Sequence, residues 1–190
     1  LYVHEKIHDQ VVEGVAGIAR TMQLGHGLDP ASQFGPLISA GQRERVRGYV
    51  DAGKREGGEL VCGGDAPARP GYFFEPTVFA RMRADMTPVK SEIFGPVLCV
   101  QSFDDADLDR VAAEANSTIY GLSGSVWTRD IGLAMQMVRR IDAGQVSVNM
   151  HAALDPALPF GGNKQSGWGR EFGKEGLEPY LKTKGVSVAW

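Results

Sequence analysis

Apolar residues recur at helical spacing in two segments near the start of the chain. In residues 9–22 they stand three or four positions apart, which predicts a helix with one face on a core: Val11, Val15, Ile18 and Met22. Ser39 precedes Gln42 by three residues, a capping-box pair that predicts a second helix over residues 39–56 with Val46 and Val50 on its inner face. Residues 59–62 then have the pattern of a short strand.

Strand and helix patterns alternate between residues 96 and 149. Three apolar runs have the pattern of strands: residues 96–103, 122–128 and 145–149. Two helical patterns separate them, and an aspartate stands where each begins, Asp104 or Asp105 in the first and Asp130 in the second. Parallel strands need crossover helices of roughly this length, so the order predicts an α/β fold with a parallel sheet.

Two segments after the third strand have their own predicted roles. The working loops of parallel sheets leave the carboxyl ends of the strands, which places residues 150–170 at the predicted active edge. The last segment, residues 183–190, alternates Val186, Val188 and Trp190 with small residues. This alternation predicts an edge strand that pairs outside the chain's own sheet, as in an oligomer.

The composition excludes several classes of protein. With 43% hydrophobic, 23% charged and 8% aromatic residues, the chain is neither a disordered segment nor a disulfide scaffold. Its formal net charge of −3 differs from the basic balance that nucleic-acid binding usually requires, so no nucleic-acid partner is predicted. The 25 glycines and 10 prolines follow no period, which indicates many turns rather than a linker.

The cysteines indicate the compartment of the protein, and the first residue indicates that the chain is part of a longer one. Cys62 and Cys99 each stand inside an apolar run, where a cysteine is usually a small buried hydrophobe, and this usage fits a reducing, cytoplasmic compartment. No run approaches the roughly 18 apolar residues of a membrane span. The chain begins at Leu1 without a methionine, and residues 1–3 have a strand pattern, so we expect it to be the tail of a longer protein.

One short motif suggests a metal site. His4-Glu5-Lys6-Ile7-His8 matches H-E-x-x-H, in which two imidazoles one helical turn apart bind zinc and the glutamate acts as base. The context argues against zinc, because the preceding residues have a strand pattern. A third ligand of the extended motif would also need glycine at position 11 and histidine at position 14, where the chain has Val11 and Gly14. A zinc hydrolase using His4, Glu5 and His8 is therefore an unfavoured alternative, and no metal is predicted.

Glu92 and Phe94 stand two residues apart, just before Gly95-Pro96 at the entry to a predicted buried strand. If they project together, the carboxylate can accept both hydroxyls of a ribose and the ring can lie on a flat heterocycle. The other interpretation is an acid at a helix end beside a core phenylalanine. Spacing alone favours this second interpretation.

Two longer strings are more specific than any single residue. They are Glu92-Ile93-Phe94-Gly95-Pro96-Val97 and P-F-G-G-N-K-Q-S-G at residues 159–167. Further strings are F-G-P-L-I-S at 34–39, E-P-T-V-F at 75–79, G-Q-V-S-V-N at 144–149 and G-R-E at 169–171. In this order, over essentially all 190 residues, the chain resembles the C-terminal part of the NAD(P)-dependent aldehyde dehydrogenases.

The resemblance implies roles for particular residues. Glu92 would hold the nicotinamide ribose of NAD or NADP, and Phe94 would pack near the nicotinamide. The loop over residues 150–160 would line the aldehyde tunnel, with four pocket residues: Met150, His151, Leu154 and Phe160. Many relatives carry an aromatic residue where this chain has Leu154. Glu171 matches a position assigned in relatives to proton handling or to structure.

The resemblance also implies how the chain is divided and what it lacks. Residues 1–175 would be part of an α/β catalytic domain, and residues 176–190 would be a helix end and the oligomerisation strand of a cytoplasmic homodimer or homotetramer. The nucleophilic cysteine, the general-base glutamate and the cofactor domain would all precede Leu1, and neither Cys62 nor Cys99 matches the nucleophile. We therefore expect the parent enzyme to oxidise a small aldehyde to a carboxylic acid, and this chain alone to be inactive. A non-catalytic binding or assembly module of the same fold is the alternative from another class.

Overall fold

The computed structural model describes residues 1–151 and 154–190 of the chain. These residues form two compact units, Leu1–Asp107 and Leu108–Trp190. Helices and parallel strand pairs occur in both units, so the predicted α/β class is confirmed. Within the described ranges, no helix is long and apolar enough to cross a membrane.

The first unit alternates short strands with helices. Its elements are β1 (Tyr2–His4), α1 (His8–Thr21), α2 (Ala40–Arg55), β2 (Glu59–Cys62), β3 (Thr77–Ala80), α3 (Thr87–Lys90), β4 (Val97–Cys99) and β5 (Gln101–Phe103). A 3-10 turn, Glu5–Ile7, joins β1 to α1. In one sheet β3 lies between β2, to which it is antiparallel, and β4, to which it is parallel. β1 pairs in parallel with β5, and Tyr2 lies opposite Gln101.

The prediction of one continuous strand over residues 96–103 is wrong, because the chain changes its pairing partner at Val100. The Val100 N–H donates to Phe79 O at 2.8 Å, which continues the pairing with β3. The next N–H, that of Gln101, donates instead to Leu1 O at 2.9 Å, which begins the pairing with β1. An apolar run reports burial and not the identity of the neighbouring strand, so the sequence pattern could not show this change.

The main core of the first unit lies between α2 and β3. As predicted, Ser39 caps α2, and its Oγ accepts the Gln42 N–H at 3.1 Å. Val46 and Val50 on the inner face of α2 are fully buried with Phe79 of β3. Four more buried side chains complete this cluster: Phe74, Met82, Met86 and Ile93.

The helix α1 begins and ends within one residue of the prediction, but its buried face differs from the predicted one. Val12 and Ala16 are buried, whereas Ile18 is 61% exposed and Met22 is also exposed. The inner face is therefore centred one position later in the sequence than the large apolar residues suggest. Ala16 is fully buried although its side chain is small, and a pattern based on large apolar residues underrates such a position.

The second unit is built around one parallel strand pair. Its elements are α4 (Leu108–Asn116), β6 (Ser123–Val126), α5 (Ile131–Arg140) and β7 (Gln145–Val148), with 3-10 turns at Lys164–Ser166 and Glu178–Tyr180. β6 and β7 pair in parallel, with Ser123 opposite Gln145. As predicted, Asp130 caps α5, and its carboxylate accepts the Leu133 N–H at 3.1 Å. Residues 181–190 form no helix or strand within the described chain, so the pairing of residues 183–190 with another chain stays a prediction.

Candidate functional site

Residues 91–95, which lie between α3 and β4, carry the two side chains predicted to bind a cofactor, and we call them the 91–95 turn. Ile93 is 8% exposed and packs in the main core. Phe94 is 69% exposed, and Glu92 is exposed as well. The buried Ile93 therefore leaves the two flanking side chains at the surface, and the interpretation of Phe94 as a core residue is wrong.

Phe94 adopts an unusual backbone conformation. Its φ of 53° lies in the left-handed region, which costs a residue with a Cβ roughly 1–2 kcal/mol. Residues held in this way cluster at ligand sites, because the surrounding structure must impose the conformation. The next residue, Gly95, lies so close to α2 that an added Cβ would overlap the Val46 Cγ2 methyl group. The turn thus needs a glycine at position 95 and external support at position 94.

Gln42 of α2 provides part of that support. Its Nε2 donates to the carbonyl oxygens of both Ile93 and Phe94, at 2.9 Å each. The sequence identified Gln42 as half of a capping box, and its backbone N–H does bind the Ser39 cap. Its side chain, however, reaches a segment about fifty residues further along the chain, and no local pattern indicates that contact.

An open groove of about 280 Å³ lies beside the 91–95 turn. Ile93, Phe94 and Gly95 line one part of it, and Pro88 and Cys99 contribute to its wall. Burial raises the pKa of the Cys99 thiol to about 11, so the thiol is protonated near neutral pH. Since the thiolate is the nucleophilic form, Cys99 is not activated for attack on a carbonyl.

The two histidines of the H-E-x-x-H motif lie in different elements. His4 is the last residue of β1, and its Nε2 lies 2.8 Å from Asp105 Oδ1. His8 is the first residue of α1, and its Nδ1 lies 2.8 Å from Asp9 Oδ1. The 3-10 turn between them replaces the single helix that a zinc hydrolase motif requires, so this geometry does not support the zinc alternative.

The residues predicted to line the aldehyde tunnel follow β7 in the second unit. Met150, His151 and Leu154 are exposed. Ala152 and Ala153, which belong to the same predicted loop, lie outside the described residues. The three described side chains are thus at the surface of the second unit, as a wall open to a ligand requires.

Phe160 and Glu171, for which separate roles are predicted, are brought together by their backbones. The Phe160 N–H donates to Glu171 O at 2.8 Å, and the Glu171 N–H donates to Phe160 O at 2.7 Å. Arg170 secures this bridge, because its Nη1 donates to Gly162 O at 2.7 Å and to Gly169 O at 2.9 Å. Phe160 is half-buried, and Glu171 is exposed.

Polar side chains of the P-F-G-G-N-K-Q-S-G string bind it to the end of α4 and to the segment after it. Lys164 Nζ donates to Asn116 O at 2.8 Å and to Thr118 O at 3.3 Å. Ser166 Oγ accepts the Gly121 N–H at 3.0 Å. No nearby residue indicates the partners of Lys164 and Ser166, because these partners are backbone groups more than forty positions away. The string therefore anchors the backbone that carries Phe160.

A comparison with known protein families matches residues 1–186 to the family described as the aldehyde dehydrogenase family. The cytosolic 10-formyltetrahydrofolate dehydrogenase of Xenopus tropicalis is 40% identical over 190 residues, which are 100% of this chain and 21% of that protein. The phenylacetaldehyde dehydrogenase of Pseudomonas fluorescens is 40% identical over 192 residues, which cover 100% of this chain and 38% of that protein.

Solved structures show the same relationship. An aldehyde dehydrogenase from Bacillus cereus in complex with NAD+ superimposes with a TM-score of 0.92 at 42% identity, over 98% of this chain and 38% of that one. A betaine aldehyde dehydrogenase from Staphylococcus aureus in complex with NAD+ gives a TM-score of 0.89 at 38% identity, over 96% of this chain and 37% of that one. The chain thus spans between 21% and 38% of the length of these relatives.

Proposed function

The chain belongs to the aldehyde dehydrogenase family, and on that premise we propose that it forms the nicotinamide-ribose side of the cofactor site and a wall of the aldehyde tunnel in an NAD(P)+-dependent aldehyde dehydrogenase. The observation that carries the proposal is the 91–95 turn. Its two exposed side chains, Glu92 and Phe94, flank the buried Ile93 beside an open groove. The turn is formed by the chain's own contacts, so both side chains are available to a ligand.

The two exposed groups fit the part of the cofactor assigned to them. When ionised, the Glu92 carboxylate can only accept hydrogen bonds, and a ribose offers two adjacent hydroxyl donors. The Phe94 ring offers a flat apolar face to a heterocycle. When bound, NAD(P)+ supplies the acceptor for the hydride that the aldehyde loses. The NAD+ complexes of the Bacillus cereus and Staphylococcus aureus relatives support NAD or NADP as the cofactor.

We assign the wall of the aldehyde tunnel to residues of the second unit. Met150, His151, Leu154 and Phe160 form a wall of the tunnel, and the small-molecule aldehyde passes along it. The backbone bridge between Phe160 and Glu171 supports a structural role for Glu171 in holding the Phe160 ring. Leu154 stands where many relatives carry an aromatic residue, so its smaller, flexible side chain changes the shape of the pocket.

The groups that perform the covalent chemistry belong to the part of the enzyme that precedes this chain. The protonated Cys99 thiol supports this assignment, since burial holds its pKa at about 11. We place the nucleophilic cysteine a few residues before Leu1 and the general-base glutamate further upstream. Residues 1–175 then complete a catalytic domain, and residues 176–190 end in a strand that joins subunits of a cytoplasmic homodimer or homotetramer.

The test compares the 190-residue chain with the longer protein read from the encoding frame. The longer protein is expected to reduce NAD(P)+ in the presence of aldehydes, and the 190-residue chain is expected to show no turnover. Glu92→Gln in the longer protein should raise the KM for the cofactor more than the KM for the aldehyde, because the lost carboxylate contacts only the cofactor. The matched control is Glu44→Gln on the exposed side of α2. Turnover by the short chain that Cys62→Ala or Cys99→Ala abolishes would refute the proposal.

A further inference from the structure

We propose that Gly173 is a positioning residue for the wall of the aldehyde tunnel, because it fixes the backbone of residues 156–160. This inference rests on the proposed function, since it concerns how the same wall is held in place. Gly173 lies just after the G-R-E string, and no sequence motif predicts a role for it. Its part is visible only in its contacts with Pro156 and Pro159.

Residues 171–173 hold the second half of the predicted tunnel loop at two points. The first point is the bridge between Phe160 and Glu171, whose backbones exchange two hydrogen bonds. The second point is Gly173, whose N–H donates to Pro156 O at 3.0 Å. Residues 156–160 form no helix or strand, so these hydrogen bonds fix both ends of the segment.

The backbone around Gly173 turns through two consecutive left-handed residues. The φ of Phe172 is 58°, and the φ of Gly173 is 57°. Glycine adopts this conformation without the steric cost that a Cβ brings. A hydrogen bond closes the turn, because the Gly176 N–H donates to Phe172 O at 2.8 Å. The turn therefore presents the Gly173 N–H to Pro156 O in a fixed direction.

Gly173 also lies against Pro159, and this close approach requires a glycine. A Cβ added at position 173 would lie 2.9 Å from Pro159 N and 3.1 Å from Pro159 Cδ. It would lie 2.9 Å from Glu175 Oε2 as well, but that oxygen ends a flexible side chain and can move away. Pro159 cannot yield in the same way, because its ring fixes φ. An added methyl group therefore displaces the backbone of the tunnel loop.

A displacement of Pro159 reaches the neighbouring side chains of the predicted wall. Phe160 follows Pro159 directly, and Leu158 precedes it with its side chain 59% exposed. Peptide planes are rigid, so a movement of Pro159 shifts both neighbours. A long aldehyde buries more apolar surface on the wall than a short one, so its binding depends more on these positions. Gly173 is thus expected to affect selectivity for chain length without contacting the aldehyde.

The first experiment compares the NMR amide signals of variants of the 190-residue chain. Gly173→Ala should move the signals of Leu158 and Phe160. Gly57→Ala is the matched control, because Gly57 has a left-handed φ of 92° and a Cβ there meets only Arg83 Nη1, at 4.0 Å. It introduces backbone strain without a contact to the loop and should leave both signals unchanged. Unchanged signals of Leu158 and Phe160 in Gly173→Ala would overturn the inference.

The second experiment measures KM and kcat in the longer protein that contains this chain. Gly173→Ala should raise the KM for octanal about tenfold and the KM for acetaldehyde less, and it should leave the KM for NAD(P)+ unchanged. Pro159→Ala removes the ring that the added methyl group meets. The double variant should therefore raise the KM for octanal by less than the product of the two single effects. An increase equal to that product would refute the contact with Pro159.

Two wall variants distinguish a failure of this inference from a failure of the proposed function. If Leu154→Ala and Phe160→Ala raise the KM for octanal but Gly173→Ala does not, the positioning role of Gly173 fails. The role also fails if Gly173→Ala raises the KM values for octanal and NAD(P)+ equally, because a general loss of structure would do the same. If Leu154→Ala and Phe160→Ala leave the KM for octanal unchanged, the proposed tunnel wall itself fails.

Discussion

Glu56 accepts two hydrogen bonds from Thr87, one from its backbone N–H and one from its hydroxyl, each at 2.6 Å. Glu56 follows the last residue of α2, and Thr87 is the first residue of α3. A single carboxylate therefore ties the end of one helix to the start of the helix that leads into the 91–95 turn. The two hydrogen bonds from Thr87 lower the pKa of Glu56.

This contact predicts a specific loss of stability in acid. The folded-state pKa of Glu56 lies below its unfolded value of about 4.5, so the stabilisation is complete above that pH and is lost as the pH falls through the folded pKa. Glu56→Gln should lower the urea midpoint at neutral pH and flatten its decline in this acid range. Urea titrations across the range check this, with Glu44→Gln as the control. If the urea midpoints of Glu56→Gln and of the unaltered protein declined equally as the pH falls, the prediction would be contradicted.

The close approach of Gly95 to Val46 predicts a coupled pair of substitutions. Gly95→Ala should destabilise the protein by about 1–3 kcal/mol, because the added methyl overlaps the Val46 side chain. Val46→Ala makes room for it, so the double variant should be more stable than the sum of the two single effects by about 0.5–3 kcal/mol. Urea unfolding of the four proteins measures this difference.

Gly48 provides the control for that cycle. It lies in the middle of α2, and a Cβ added there meets no atom within 4 Å. Gly48→Ala should therefore stabilise the protein by about 0.4–1 kcal/mol. Equal effects of alanine at positions 48 and 95 would show that the contact with Val46 does not constrain the turn.

The left-handed conformation of Phe94 predicts that glycine is more stable than alanine at this position, the reverse of their order in a helix. Phe94→Gly should be more stable than Phe94→Ala by about 1 kcal/mol, because glycine adopts a φ of 53° without steric cost. At the exposed helical position Ile18 the order should reverse, with alanine more stable than glycine by about 1 kcal/mol. Thermal or urea unfolding measures the stability of the four variants. Equal stability of the alanine and glycine variants at position 94 would mean that the conformation carries no strain.

Arg170 is expected to control the bridge between Phe160 and Glu171. Lysine keeps the charge but cannot bind the two carbonyls of Gly162 and Gly169 with one rigid group. Arg170→Lys should therefore raise the hydrogen-exchange rates of the Phe160 and Glu171 amides roughly tenfold. Arg139→Lys, on the exposed side of α5, should leave both rates unchanged. Equal rates in the two variants would count against a role for Arg170 in the bridge.

Local patterns predicted the long helices and two of their three proposed caps. The prediction that Asp104 or Asp105 caps α4 is wrong, because α4 begins at Leu108 and the Asp104 carboxylate accepts the Ala106 N–H instead. Ser39 and Asp130 cap α2 and α5 as expected, because a capping side chain binds a backbone N–H three residues away and both partners are visible in the sequence. The change of strand partner at Val100 depends on segments far apart in the chain. Periodicity carries no information about such partners, so the prediction of one strand over residues 96–103 failed.

The candidate site was predictable only in part, for the same physical reason. The spacing of Glu92 and Phe94 allowed two interpretations, and the burial of Ile93 between them distinguishes these. The contacts made by Gln42 and by Lys164 join residues more than forty positions apart, which no motif in the sequence records. Family resemblance located the most specific strings, and the structure shows which of their side chains are exposed and which bind backbone groups.

The pairing of β1 with β5 constrains the order in which the first unit can assemble. Tyr2 and Gln101 are neighbours in the sheet, although nearly all of the first unit separates them along the chain. During synthesis β1 therefore leaves the ribosome before β5, and it stays unpaired until β5 has been synthesised. Contacts of such long range slow folding, and the intervening apolar segments are exposed to aggregation meanwhile. Synthesis that pauses before residue 101 should thus depend on chaperones more than synthesis that pauses after residue 107.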